Sequence, residues 1–187
     1  QAQQKGFNHI LLDVGDGIQY HSHPEISTKN AWSHKRVRQE IERCRKAGLT
    51  IIPKLNFSTS HDTWLKEYRR MVSSKPYYQV CADLIREVCE VFDSPRLFHL
   101  GFDEEKPEYQ WNCENVVVRQ GDLWWHDLFF LAGECEKHGA RPWIWSDYVW
   151  NNEKEFLEKM PKSILQSNWY YGVFTDFPAD HPHYNMV

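Results

Sequence analysis

The chain has 187 residues, with 22 Lys and Arg against 26 Asp and Glu and a formal charge of -4. That length can bury a sizeable core, and the mild acidity argues against a nucleic-acid-binding surface. No apolar run approaches the ~20 residues of a membrane span, and Gln1 to Gly6 lacks the apolar centre of a signal peptide.

Strand-like and helix-like segments alternate. His9 to Val14 is a short apolar run that ends in the turn Gly15-Asp16-Gly17. Ser33 can cap a helix from His34 to Ala47, with Val37, Ile41 and Cys44 at helical spacing and Gly48 as its stop. Leu49 to Leu55 reads as a second strand and Thr63 to Val72 as a short helix. Pro76 opens a longer helix to Phe92, with Val80, Leu84, Val88 and Val91 along one face. Arg96 to Phe102 is the third strand, Gly121 to His138 a helix closed by Gly139, and Arg141 to Ser146 the fourth strand. Asn152 to Lys159 is a short helix and Ser163 to Trp169 the fifth strand. The order βαβαβαβαβ predicts a parallel sheet with helical crossovers, either an open doubly wound sheet or a (β/α)8 barrel. No GxGxxG or GxxxxGK[ST] follows any strand, so a nucleotide-binding open sheet lacks its usual signature.

What does stand after the strands is polar and aromatic. Asp13 and Asp16 follow the first, Asn56 and His61 the second, and Asp103 and Glu104 the third. Trp145 and Asp147 follow the fourth, and Asn168 and Trp169 the fifth. A barrel gathers its active site from these loops. Acids beside Trp rings suit a sugar, whose C–H faces pack on aromatic rings while its hydroxyls need carboxylate partners. Aromatic residues make up 15% of the chain, nine of them Trp. Neighbours on a strand point to opposite faces, so Asp103 and Glu104 can share a pocket only if the backbone turns there, which Gly101 makes cheap. Crowding of the acids should also raise the pKa of one of them, as a general acid needs. Trp143 and Trp145 are expected on opposite faces of their strand, with Trp145 in the pocket. Trp124, Trp125, Phe129 and Phe130 read as helix core and surface. His99 reads as a hydrogen-bonded core histidine. Cys44, Cys81, Cys89, Cys113 and Cys135 contain no CxxC, and free thiols are expected. The pairs His21-Ser-His23 and His181-Pro-His183 sit in Pro-containing loops and read as solvated histidines rather than metal ligands.

The segment His99-Leu-Gly-Phe-Asp-Glu104 resembles the His-x-Gly-Gly-Asp-Glu signature of glycoside hydrolase family 20, the β-N-acetylhexosaminidases. Asn8-His-Ile-Leu-Leu-Asp-Val-Gly-Asp16 resembles that family's Asn-x-x-x-Trp-His-Leu-Thr-Asp motif. Gly48-Leu-Thr-Ile-Ile-Pro53 with Ser60-His61 resembles its Gly-Ile-x-Val-Ile-Pro-Glu and Pro-Gly-His segments. Trp145-Ser-Asp147 and Trp169 fall where the family carries the aromatic walls of its sugar pocket.

The resemblance implies a (β/α)8 barrel of TIM type that cleaves terminal sugars, N-acetylhexosamines in particular, by a retaining, substrate-assisted mechanism without metal or organic cofactor. Glu104 would be the acid/base and Asp103 the group that orients the acetamido substituent. Asp16, His61, Trp145, Asp147, Trp169 and the rim residue Tyr171 would bind the sugar. The carbohydrate substrate is the expected partner. The five strands correspond to the family's second to sixth, so residues 1–187 are expected to be one incomplete domain, its first strand before Gln1 and its last two after Val187. The family is often exported. Departures are Asp13 for the family His, Lys54 for the Glu after Pro53, Ser60 for Gly, and Phe102 for the second Gly of the signature, where a bulky ring would alter the pocket. Two alternatives stand beside this reading: a catalytically inactive sugar binder on the same barrel, and a two-carboxylate glycosidase using Asp16 or Asp147 with Glu104.

Overall fold

The computed structural model describes residues 5–169. Its element order is β1 (His9–Asp13), α1 (His34–Lys46), β2 (Thr50–Lys54), a 3-10 stretch (Thr63–Met71), α2 (Lys75–Val91), β3 (Leu97–His99), a 3-10 turn (Pro107–Gln110), α3 (Asp122–Lys137), β4 (Arg141–Trp145), α4 (Val149–Lys159) and β5 (Leu165–Ser167). All five strands are parallel and lie in chain order, β1-β2-β3-β4-β5. A doubly wound sheet reverses its order at a switch point, so strictly sequential order is that of a barrel wall.

The helices start where capping chemistry places them. Ser33 Oγ accepts the Arg36 N–H at 3.3 Å, and α1 ends in Arg43, Arg45 and Lys46, which complement its C-terminal dipole. Ser74 caps α2 with Pro76 in the first turn, and Val80, Leu84, Val88 and Val91 are all buried. The short helix expected over Thr63 to Val72 is a 3-10 stretch, Thr63–Met71, in which Lys66 takes φ 54° and kinks two turns.

Register fixes which side chains share a face. Asp13, Lys54, His99, Trp143 and Leu165 pair in sequence across the sheet and therefore point the same way. The opposite face carries Phe98 and Ile144, both fully buried in the core formed with α2 and α3. Trp143 and Trp145 are two residues apart, so they share a face rather than opposing each other. Their rings lie 4.7 and 4.8 Å from the His99 ring. Residue spacing on a strand has period two, and that rule overturns the opposite-face expectation. The helix-borne aromatics pack as expected: Trp124 stacks on Tyr148 at 3.9 Å, Trp125 is buried, and Phe129 is partly exposed. All five cysteines are free, with Cys81, Cys89 and Cys135 buried.

β3 is shorter than the apolar run Arg96 to Phe102 predicts. Gly101 takes φ 80° and Phe102 φ 71°, which ends extended backbone although Phe57 N–H still donates to Leu100 O at 2.9 Å and Trp145 N–H to Gly101 O at 2.9 Å. The turn follows from crowding. A Cβ at residue 101 would lie 1.8 Å from Asn56 Oδ1, so only glycine fits between β3 and the loop after β2.

Candidate active site

Beyond the turn, Glu104 also has positive φ, 57°. Three residues in the left-handed region within four positions rotate Asp103 and Glu104 out of strand alternation. Both carboxylates then reach one imidazole nitrogen: His61 Nε2 is 3.3 Å from Asp103 Oδ2 and 3.2 Å from Glu104 Oε2. Asp103 is the more enclosed, with 16% side-chain exposure against 31% for Glu104.

The loop after β2 supplies the frame. Asn56 Nδ2 donates to Asp103 Oδ1 at 2.9 Å, and Trp64 Nε1 holds the Asn56 carbonyl at 2.8 Å. Ser58 Oγ donates to the Asp103 carbonyl, and Ser60 Oγ to the Glu104 carbonyl at 2.6 Å. From the loop after β4, Asp147 Oδ2 accepts the Glu104 N–H at 2.9 Å. Asp147 is 7% exposed and its Oδ1 is buried without a hydrogen-bond partner. Burial, reinforced by the charges of Asp103 and Glu104, pushes its carboxyl up to about 7. The carboxyl raised at this site is Asp147, and burial is the main cause.

Beneath the pair, Glu105 turns inward. Its Oε1 accepts the Thr59 N–H at 2.9 Å and pairs with Arg119. Arg119 also donates to Asp127 Oδ2 at 2.6 Å, to Phe57 O at 3.1 Å and to the Tyr77 hydroxyl at 2.7 Å. Phe102 does not fill the pocket as its size suggested. It is 1% exposed, packs edge-on against Trp124 at 5.4 Å and lies 5.2 Å under the Arg119 guanidinium, in the helix layer.

The Trp145 N–H donates to Gly101 O, two residues before Asp103, and the Trp145 ring begins an aromatic wall. Trp145 contacts Trp169 edge-to-face at 5.9 Å, and Trp169 contacts Trp150 at 5.1 Å. His99 is fully buried, with Nδ1 accepting the Gly101 N–H at 3.0 Å, and burial with the nearby Lys54 charge lowers its pKa to about 3. It is the core histidine expected, and it shapes the turn. The two departures at Asp13 and Lys54 answer each other: they are register partners and form an ion pair at 3.2 Å.

Asp103, Glu104, His61 and Asp147 therefore come together, while Trp145 lies against His99 and Trp169 against Trp145. Asp16 is placed differently: its carboxylate is held by Lys66 Nζ at 2.6 Å. Tyr171 and the His181–His183 pair lie outside the described residues. Asn56 and Ser60 were legible as positions after β2 but not as the frame of the acids, Ser58 was not singled out, and nothing near Glu105 or Arg119 in the sequence announces their pairing. His61, Asp103 and Glu104 offer three donor atoms within 4.8 Å of one another, close enough to hold a cation. No helix among the described residues is long and apolar enough to cross a membrane.

No protein-family model and no curated protein matches the sequence. Solved structures do match. The chain is similar to a glycoside hydrolase family 20 exo-β-N-acetylglucosaminidase from Vibrio harveyi, solved with N-acetylglucosamine, at TM-score 0.68 and 15% identity over 91% of this chain and 34% of that one. It is similar to the chitobiase of Flavobacterium johnsoniae at TM-score 0.69 and 16% identity over 91% and 30%. It is similar to the β-N-acetylhexosaminidase of Streptomyces coelicolor A3(2) at TM-score 0.62 and 11% identity over 90% and 38%. The chain spans about a third of the length of these enzymes. Its five parallel strands and the helices between them thus share the fold of part of the glycoside hydrolase family 20 TIM barrel.

Proposed function

We propose that this chain carries the acid/base site of a glycoside hydrolase that removes terminal sugars, N-acetylhexosamines in particular, from glycans. The observation that carries this reading is the convergence of Asp103 and Glu104 on His61 Nε2, beside the Trp145–Trp169 wall. In the reaction, Glu104 protonates the leaving glycosidic oxygen while the substrate's own acetamido oxygen attacks the anomeric carbon. Asp103 orients the acetamido N–H and balances the positive charge of the oxazolinium intermediate. Glu104, now the base, then takes a proton from water, which opens the intermediate with net retention. Asp147, Trp145 and Trp169 shape the sugar subsite together with His61. We take residues 1–187 as one domain forming part of such a barrel, a reading supported by the coverage of the similar enzymes.

The test is turnover of a chromogenic β-N-acetylglucosaminide. Activity that falls at least about 100-fold in Glu104→Gln and in Asp103→Asn, with the fold intact, supports the reading. Sugar binding without turnover of any glycoside would replace it with the inactive-binder reading. The buried Asp147 carboxyl next to Glu104 favours a second reading, a two-carboxylate glycosidase. Hydrolysis of the corresponding glucoside, which lacks the acetamido group, at a comparable rate would select it.

A further inference from the structure

We propose a second, unrelated site: His21, His34 and Glu87 form a binding site for a divalent transition-metal ion. It shares no residue with the candidate active site. Its three donors come from three separate segments, the loop after β1, the first residue of α1, and α2. The donor atoms all lie within 4.8 Å of one another.

The first observation is the fixed carboxylate. Glu87 is 6% exposed. Its Oε1 accepts the His21 N–H at 2.6 Å, and its Oε2 accepts the Ser22 N–H at 3.0 Å and the Ser22 hydroxyl at 2.5 Å. A ligating carboxylate is held by outer hydrogen bonds in this way, and Oε1 keeps one lone pair for an ion.

The second is His34. Its Nε2 is buried and only 2.9 Å from Glu87 Oε1, yet the two lack hydrogen-bond alignment. A buried imidazole nitrogen that close to a carboxylate oxygen, with no hydrogen bond between them, is placed for a cation that joins both. A metal ion does so without alignment of N and O, because bonds of about 2.0–2.2 Å leave neighbouring donors roughly 3–3.5 Å apart.

The third is His21, whose ring stacks on His34 with centroids 4.1 Å apart. Its side chain is exposed, so a turn of the ring can close the third bond. His23 is excluded because Asp83 and Glu25 hold it at 3.3 and 3.2 Å. Of the cations nearby, Arg86 is paired with Asp83 at 2.8 Å and Arg38 is exposed, while Glu90 adds a carboxylate to the same cavity. Two imidazoles and one carboxylate select Zn2+, Ni2+ or Cu2+ over Ca2+ and Mg2+. The bound ion would clip the loop after β1 onto both helices.

The experiment is calorimetric titration of Zn2+, and separately of Ca2+, into the chelator-treated chain at pH 7.5, with a parallel thermal melt. We expect Zn2+ bound with a Kd in the micromolar range or tighter and a melting temperature higher by several degrees, with no Ca2+ binding. His21→Ala, whose exposed side chain is dispensable for folding, and His34→Gln should each weaken Zn2+ at least tenfold, and His61→Ala should leave this binding in place. Absence of Zn2+ binding, binding untouched by His21→Ala and His34→Gln, or binding abolished by His61→Ala would each overturn the proposal.

Discussion

Replacing Arg119 with Met tests the frame under the acid pair. The guanidinium has 1% side-chain exposure and lies between Glu105 at 3% and Asp127 at 0%. It ties the loop after β2 through Phe57 O, α2 through the Tyr77 hydroxyl, α3 through Asp127 and the acid-bearing loop through Glu105. Removing one partner of a buried ion pair costs about 3–5 kcal/mol because the other charge is stranded, and here two carboxylates are left. In a chain of this length each kcal/mol moves the melting temperature by roughly 2–4 °C, so a fall of about 6–20 °C is expected. The sign of its pH dependence follows. Burial pushes the Asp127 carboxyl up, but Arg119 and the hydroxyls of Tyr78 and Ser73 hold it below its ordinary range. Without Arg119 both acids favour their protonated forms in the folded state, so the deficit shrinks toward pH 4 and widens above it. Thermal melts at pH 4.5 and 7.5 provide the readout. A loss under about 1 kcal/mol, or one independent of pH, would refute the claim that Arg119 neutralises two buried carboxylates.

Other consequences are separately measurable. The neutral Asp147 carboxyl is favoured in the folded state, with its pKa raised to about 7, so its stabilising contribution is present at acid pH and is lost as pH rises from about 4 to about 7. Denaturant titrations should therefore show wild type losing stability relative to Asp147→Asn across that window, on the order of 4 kcal/mol; parallel pH profiles would contradict this. Gly101→Ala should cost about 3 kcal/mol, since its Cβ would drive Asn56 off Asp103 and Ser58; a loss under about 1 kcal/mol would show that the turn tolerates a side chain. Phe102→Ala should cost about 3–5 kcal/mol in lost packing. At φ 71° Phe102→Gly should be the milder of the two by about 1 kcal/mol, the reverse of the usual order, which chemical denaturation of both variants would decide.

The fold was legible because periodicity and punctuation agreed. Ser33 and Ser74 cap their helices, and the buried Val80, Leu84, Val88 and Val91 are the helical stripe the spacing predicts. The meeting of Asp103 and Glu104 was legible as a condition, a turn at Gly101, and three departures into positive φ within four residues meet it. What was not legible depends on partners distant in the chain. Glu105 reads as one more acid in a solvated run until Arg119 buries it, and Phe102 reads as pocket-filling until its backbone turns the ring toward Trp124. Lys66 claims Asp16 across 50 residues, a pairing no local pattern encodes.

On the proposed function, Asp103 and Glu104 serve one N-acetylated sugar beside Trp145 and Trp169. A crystal structure of the chain soaked with an N-acetylglucosamine thiazoline, which mimics the oxazolinium intermediate, tests it most directly. The expected result is the sugar ring against Trp145 and Trp169, the thiazoline nitrogen within hydrogen-bond distance of Asp103, and Glu104 facing the anomeric carbon. An inhibitor bound elsewhere, or no binding at millimolar concentration, would contradict it.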